Sequence, residues 1–471
     1  MKDFLSKNIN YLLKGAFKKS GLPEDDLAIY NQNRLKEERK CLCHAPFKSL
    51  YFGHGGLVTS CCFNRRHILG NISQQNIDSI WQGSPLKILR KALNKNDLSI
   101  GCYICEQQLI IKNYNAVSAL MYDGLPPENK MPQMLEFEAD NTCNLECIMC
   151  TGEYSSAIRK NRENKSIAEN VYDDSFLSQL QPYLKNLKDA KFNGGEPFMS
   201  PLYQKIWSEI ISVNPSCRIS VQTNATVLND TVKDFLDKGN FHISVSFDAL
   251  DKDLYEKIRV NALYEKVISN ISYFRDYCLN KGHYFGLAVC PMRLNWKEMP
   301  TLVGFANKNK ANIYFHTVWF PPSLALWNLS YMELKNIYQY LDRFNWAPIN
   351  DVEKNNIKAY RRLIAQVEQW CQAAKISESE ISAVNGSEEL KIVLNEKINV
   401  WCDANITNIA EKQEKKVKYV AIIEEIMKSF EKEELTKCLA EILKTPVEFI
   451  ILTLEMDDKN RIIERFNAYR F

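Results

Sequence analysis

The sequence predicts an α/β fold of repeated strand-helix units around a parallel sheet. Two observations predict it. From about Met134 to Trp319 strand-like and helix-like segments alternate, the pattern of consecutive β-α units. The two runs richest in reactive residues, Cys143 to Cys150 and Gly194-Gly195-Glu196, each directly follow a strand candidate, and parallel sheets carry their chemistry at those carboxyl ends.

The first strand candidate is Leu135–Asp140, where Leu135, Phe137 and Ala139 alternate with acidic residues, as in a half-buried strand. Ala190–Asn193, Arg218–Thr223, His242–Phe247, Tyr284–Cys290 and Ile313–Val318 follow. Helices are expected between them at Phe176–Leu187, Leu202–Val213, Thr231–Lys238, Leu254–Leu279 and Lys297–Lys308, each apolar near a 3.6 period. Six units fall short of the eight of a closed barrel. After Pro321-Pro322 the strands stop: Tyr331–Trp346 and Asn356–Lys375 read as helices and Ser377–Glu389 as a polar linker. Residues 411–471 read as a helical module, with Val420–Phe430 and Leu435–Leu443 amphipathic and a break at Thr445-Pro446. The expected layout is a helical leader over 1–40, a cysteine-rich module over 41–125, the strand-helix domain over 130–322 and a helical region over 323–471.

Composition narrows the function. The 471 residues carry 60 Lys plus Arg against 57 Asp plus Glu, a net charge of +3, which excludes the strong basic excess of a nucleic-acid binder. The Lys14–Lys19 segment is short and reads as a solvated helix face. Neither a secretory apolar run at Met1 nor a membrane span of ~18 apolar residues is present. Fifteen cysteines in such a chain read as reduced thiols or metal ligands, so a cytoplasmic, oxygen-sensitive protein is expected.

Cys143, Cys147 and Cys150 form a C-x-x-x-C-x-x-C run. Three thiolates on one loop can hold three corners of a cubane cluster and leave one iron open, whereas a closed structural site takes four ligands. This spacing, with Gly194-Gly195-Glu196-Pro197 about 44 residues on, resembles the radical S-adenosylmethionine (SAM) enzymes. The resemblance implies a partial (β/α)6 barrel, a 4Fe-4S cluster and bound SAM. It also implies reductive cleavage of SAM to methionine and a 5′-deoxyadenosyl radical that abstracts hydrogen from substrate, and an external flavodoxin- or ferredoxin-type reductant. Gly194 and Gly195 would allow close backbone approach and Glu196 would meet the SAM ammonium. Thr223 and Asn224 resemble the family's Thr-Asn element near SAM. Ser246 and Asp248 close the fourth strand at the site mouth beside SAM, and Ser246 and Arg259 stand where a Ser and an Arg of related enzymes bind the SAM carboxylate or ribose, although Asp248 also suits a helix cap and Arg259 a surface ion pair. Met149 replaces the aromatic residue that usually precedes the third cysteine.

A second cysteine group, Cys43, Cys61 and the pair Cys102-x-x-Cys105, precedes the barrel region. With Leu69-Gly70-Asn71-Ile72 and Ile80-Trp81-Gln82-Gly83 it resembles the twitch domain, a short relative of the SPASM domain, which implies a second, auxiliary 4Fe-4S cluster. The usual order is changed, because the family normally carries this module after the barrel. Four cysteines also suit a structural zinc, and Cys41 and Cys62 could replace their neighbours. Cys217, Cys278, Cys290, Cys371, Cys402 and Cys438 read as small buried residues. Enzymes with auxiliary clusters often oxidise peptides or small molecules such as sugars and aminocyclitols, the extra cluster taking the second electron. A peptide or small-molecule substrate follows from the resemblance. The rivals are a zinc-stabilised interaction protein and a radical SAM methyltransferase, for which neither a cobalamin module nor a methyl-accepting cysteine pair is apparent.

Overall fold

The computed structural model describes residues 24–471 other than 33, 111–113, 115–116, 126–130, 168–169, 383–385, 407–408, 429, 446, 456–461, 464–465 and 467–471. The leader up to residue 23, with Lys14–Lys19, and Pro446 of the expected break lie outside the described residues. The described chain divides into two compact units. One runs to Val289 and includes Gly304–Tyr314; the other comprises Cys290–Val303 and the chain from Phe315 onward.

The first unit is built on one sheet. Its strands are β1 (Ser49–Phe52), β2 (Leu57–Thr59), β3 (Gly70–Asn71), β4 (Met134–Phe137), β5 (Asp189–Phe192), β6 (Arg218–Thr223), β7 (Asn240–Ser246), β8 (Phe285–Val289) and β9 (Asn312–Phe315). The order is β3-β2-β1-β4-β5-β6-β7-β8-β9, with β4 to β8 mutually parallel. Each of the six expected strands is present.

The amino-terminal module joins this sheet rather than standing apart. β1 pairs in parallel with β4, Ser49 opposite Met134 through Phe52 opposite Phe137, while β2 and β3 add antiparallel strands outside it. Alternation assigns the two faces. On one face Phe52, Phe137 and Phe192 stack across β1, β4 and β5 at 5.4 and 4.9 Å, and Trp207 of helix Pro201–Val213 packs edge-on against Phe192. On the other lie Tyr51, Glu136, Lys191 and Gln222. That second face is concave: the Tyr314 hydroxyl of β9 donates to Gln222 Oε1 of β6 at 3.0 Å, although β7 and β8 separate their strands.

The expected helix Leu254–Leu279 is two helices, Lys252–Ile258 and Tyr264–Lys281. Asn261 sits at φ 74°, and the carbonyls of Ile258 and Val260 accept from Ile148 and Glu146 of the cysteine loop instead of continuing the helix. A tertiary contact thus overrides the local period.

In the second unit, helices Tyr331–Leu341, Asp351–Ser382, Ser387–Asn405, Ile409–Met427, Lys432–Lys444 and Val447–Leu454 follow one another. The expected polar linker is corrected: residues up to Ser382 continue a helix and Ser387 begins the next. Its polar residues have tertiary partners, since Glu378 accepts from the Tyr331 amide at 2.7 Å and Ser377 donates to the Leu443 carbonyl at 3.3 Å. Leu394, Ile398, Cys402, Leu439 and Ile451 form the centre of this helical core.

Candidate functional site

The cysteine loop leaves the carboxyl end of β4 and is fixed by its own polar residues. The Asp140 carboxylate accepts from the Thr142 amide and hydroxyl at 2.8 and 2.7 Å. Ser156 Oγ accepts from the Cys143 amide at 3.0 Å, and the Ser155 hydroxyl donates to the Leu145 carbonyl at 2.7 Å. Burial raises all three thiols, Cys143 to about 11 and Cys150 to about 12, with neighbouring Arg259 pulling Cys147 partly back. Without a metal they are neutral thiols; a coordinated metal would take them as thiolates and release their protons.

The Gly-Gly-Glu turn after β5 packs directly on this loop. Gly194 and Gly195 have φ of 76° and 55°, values that suit glycine. A Cβ on Gly195 would lie 2.4 Å from the Thr142 carbonyl oxygen, and the Glu196 amide donates to that oxygen at 2.7 Å. Gly195→Ala should therefore separate the two loops and lower unfolding stability by about 1–3 kcal/mol or more, measured by denaturant unfolding. A wild-type unfolding curve would show that the loops tolerate the side chain.

Glu196 is fully buried, and its carboxylate accepts from Thr223 Oγ1 at 2.7 Å, the Asn224 amide at 2.6 Å and the Phe198 amide at 3.1 Å. Burial raises its pKa to about 7 against those donors. Thr223 and Asn224, ending β6, are thereby tied to β5. Asn224 Nδ2 also reaches Cys143 Sγ at 3.8 Å. Ser246, at the end of β7, accepts from Gln222 Nε2 at 3.4 Å. Asp248 and Arg259 pair with each other at 2.7 Å, and Arg259 Nη1 donates to Cys147 Sγ at 3.8 Å. All eleven residues expected around SAM and its cluster thus lie at the carboxyl ends of β4, β5, β6 and β7, on the loops that follow them, or on the turn that docks there.

The second cysteine group surrounds one cavity, lined by Cys43, Cys61, Cys102 and Cys105 with Tyr122 and Asn64. Cys43 and Cys61 belong to the core of the amino-terminal module, and Cys102 and Cys105 pack against it. Burial raises all four thiols, and their mutual proximity raises Cys43, Cys102 and Cys105 further. Backbone and amide N–H groups point at the sulfurs: Ala45 at Cys43 (3.4 Å), Asn64 at Cys61 (3.3 Å), Asn64 Nδ2 at Cys102 (3.5 Å), and the Ser118 and Ala119 amides at Cys105. Four such thiols suit either a tetrahedral zinc or the four corners of a cubane cluster. Cys62 lines no part of the cavity and lies toward Glu136 and Lys191; Cys41 donates to the Cys43 carbonyl beside His44. The one tight group of metal-type ligands among the described residues, Glu38, His44 and Asp123, is already paired with Lys48 and Arg34.

Sequence reasoning missed the polar residues between the two cysteine groups. Tyr122, lining the cavity, donates to buried Glu136 of β4 at 2.5 Å. Glu138 accepts from Tyr51 and from Arg65, and Arg65 also donates to the Tyr154 hydroxyl at 2.6 Å. The acidic alternation of Leu135-Glu-Phe-Glu did signal one polar face; its partners come from distant segments.

Together these features define an α/β protein with two groups of cysteines, one on a loop at the carboxyl end of the sheet and one around a cavity of the amino-terminal module. The Radical SAM superfamily model matches residues 140–305, and the model of SPASM, an iron-sulfur cluster-binding domain, matches residues 41–106. The chain therefore contains a radical SAM domain, with a SPASM domain on its amino-terminal side. These domains imply a 4Fe-4S cluster with SAM, and auxiliary iron-sulfur clusters. The chain is 29% identical over 174 residues to a probable GTP 3′,8-cyclase of Methanocaldococcus jannaschii, covering 36% of this chain and 54% of that one. It is 24% identical over 184 residues to the GTP 3′,8-cyclase of Campylobacter lari, covering 38% and 54%. The chain thus spans about half the length of the curated relatives it matches. Among solved structures it is similar to anSMEcpe with bound AdoMet (18% identity, 45% and 60% of the two chains, TM-score 0.34) and to Streptococcus suis SuiB bound to precursor peptide SuiA (15%, 55% and 51%, 0.33). No helix among the described residues is long and apolar enough to cross a membrane.

Proposed function

We propose that this protein is a radical SAM oxidoreductase acting on a peptide or small molecule, with Cys143, Cys147 and Cys150 holding the SAM-cleaving cluster and Cys43, Cys61, Cys102 and Cys105 holding the auxiliary one. The observation that carries the reading is the joining of the cysteine loop to the Gly-Gly-Glu turn through the Glu196–Thr142 hydrogen bond. The cofactors, when bound, supply reductive cleavage of SAM and hydrogen abstraction from an unactivated carbon. The chain's own residues position and desolvate. Gly194 and Gly195 leave room for close backbone approach, and Glu196 offers a buried negative charge for the SAM ammonium. Ser246, Asp248 and Arg259 stand at the same mouth, and Cys43, Cys61, Cys102 and Cys105 would hold the auxiliary cluster, which would supply an acceptor for a substrate-derived electron. The expected layout, 41–125, 130–322 and 323–471, is retained, as are a cytoplasmic setting and a flavodoxin- or ferredoxin-type reductant.

The zinc-stabilised interaction protein is the weaker reading, because a radical SAM domain over residues 140–305 gives both the triplet and the Gly-Gly-Glu turn a purpose. The GTP cyclase relatives align with little more than a third of this chain, which supports shared radical chemistry and leaves the substrate to this chain's own concave face. The test is formation of 5′-deoxyadenosine from SAM by anaerobically reconstituted protein with dithionite; its absence from protein loaded with clusters would defeat the reading.

Glu196 adds a pH signature. A cation favours the ionised carboxylate, and the free carboxyl titrates near 7. SAM affinity should therefore level off above pH 7 and fall by up to about tenfold per pH unit below it, measured by equilibrium binding between pH 6 and 8. A flat profile would assign the ammonium to backbone carbonyls instead.

A further inference from the structure

The superfamily reading leaves open what tunes the cluster, and the geometry around Cys147 speaks to that. Arg259 lies between two residues whose carbonyls are bonded to the cysteine loop: Ile258 accepts from Ile148, and Val260 from Glu146, both at 3.0 Å. Backbone register therefore fixes Arg259 against this loop. Its side chain is fixed as well. Nε donates to Asp248 Oδ2 at 2.7 Å, and Nη1 points at Cys147 Sγ at 3.8 Å. Asp248 is fully buried and Arg259 nearly so. A guanidinium is a rigid planar fork, so engaging one edge with Asp248 aims the remaining N–H groups. The other sulfur contacts described for the two sites are different: Asn224 reaches Cys143, and amide N–H groups reach the four auxiliary cysteines. Those donors are neutral.

We propose that Arg259, anchored by Asp248, is a positioning residue that donates a charge-assisted hydrogen bond to the Cys147 thiolate and raises the reduction potential of the SAM-cleaving cluster. The inference rests on the reading that the triplet holds that cluster. Reduction adds one electron to an anionic cluster, and a fixed cation at a ligand sulfur favours the more negative, reduced state; hydrogen bonds to cluster sulfurs are an established control of potential. The electron comes from the external reductant. Arg259 thereby serves the sulfur rather than the SAM carboxylate.

The test is a potentiometric EPR titration of the reconstituted holoenzyme, with the SAM-cleaving cluster identified as the one whose signal changes on adding SAM. The comparison is wild type against the double variant Asp248→Asn/Arg259→Gln, which removes both charges together and so leaves no lone buried charge. The reduction equilibrium of the SAM-responsive cluster should shift roughly tenfold toward the oxidised state, about 59 mV lower, with the other cluster unmoved. An unshifted potential in the loaded double variant overturns the proposal, whether or not SAM affinity falls. Because that variant could fail to load iron, wild-type protein labelled with 15N-arginine supplies an independent reading. Pulsed EPR of the reduced, SAM-free protein should show a 15N coupling to the SAM-responsive cluster, and its absence also overturns the proposal. If no cluster responds to SAM, the parent assignment of the triplet has failed, an outcome distinct from either of these.

Discussion

Replacing Cys143, Cys147 and Cys150 together by Ala should abolish reductive cleavage of SAM, a fall of roughly 10⁶-fold or more to the uncatalysed background, while leaving one cluster of about four irons at the amino-terminal site. The loop itself should survive the change. It is held by Asp140, Ser155, Ser156 and the backbone bonds to Ile258 and Val260, none of which uses a sulfur. Three neutral thiols, Cys147 buried and the other two partly so, also leave no unpaired charge when replaced by methyl groups. 5′-Deoxyadenosine measured after incubation with dithionite checks the result. Cleavage at the wild-type rate in the triple variant would remove the catalytic assignment.

The second large effect separates the two cysteine groups. Cys102→Ala with Cys105→Ala deletes half of the four-thiol cavity and should stop product formation while leaving SAM cleavage largely intact. Homolysis of SAM needs the cluster with an open iron, whereas completing a two-electron oxidation needs an acceptor for the second electron. The amino-terminal module contributes β1 to the shared sheet, so circular dichroism must first show the variant folded, because losing a metal site can unfold a small domain. A folded variant that still makes full product would reduce the auxiliary site to a structural role.

The barrel and its triplet were legible because short-range pattern carries them. Period-2 segments place six strands, and the cysteine loop and the Gly-Gly-Glu turn each follow their strand in the chain. What stayed hidden depends on partners far away in sequence. Ser49–Phe52 is a short strand whose only signature is its pairing with β4, more than 80 residues on. Asn64 organises the auxiliary cavity by reaching both Cys61 and Cys102, yet nothing local marks that asparagine. Arg259 and Asp248 were assigned to SAM separately; their mutual ion pair requires the helix to stop at Ile258, and the 3.6-residue period there runs on without a break. Ser377–Glu389 misled for the opposite reason, since its polar residues bond to Tyr331 and Leu443 within a helical setting.

The central claim is that this chain holds two iron-sulfur clusters on two separate thiolate sets. Iron, acid-labile sulfide and zinc determined on the anaerobically purified, reconstituted protein test it most directly. The account predicts about eight irons and eight sulfides per chain without zinc. About four irons with one zinc would contradict the auxiliary assignment, and zinc alone would contradict both.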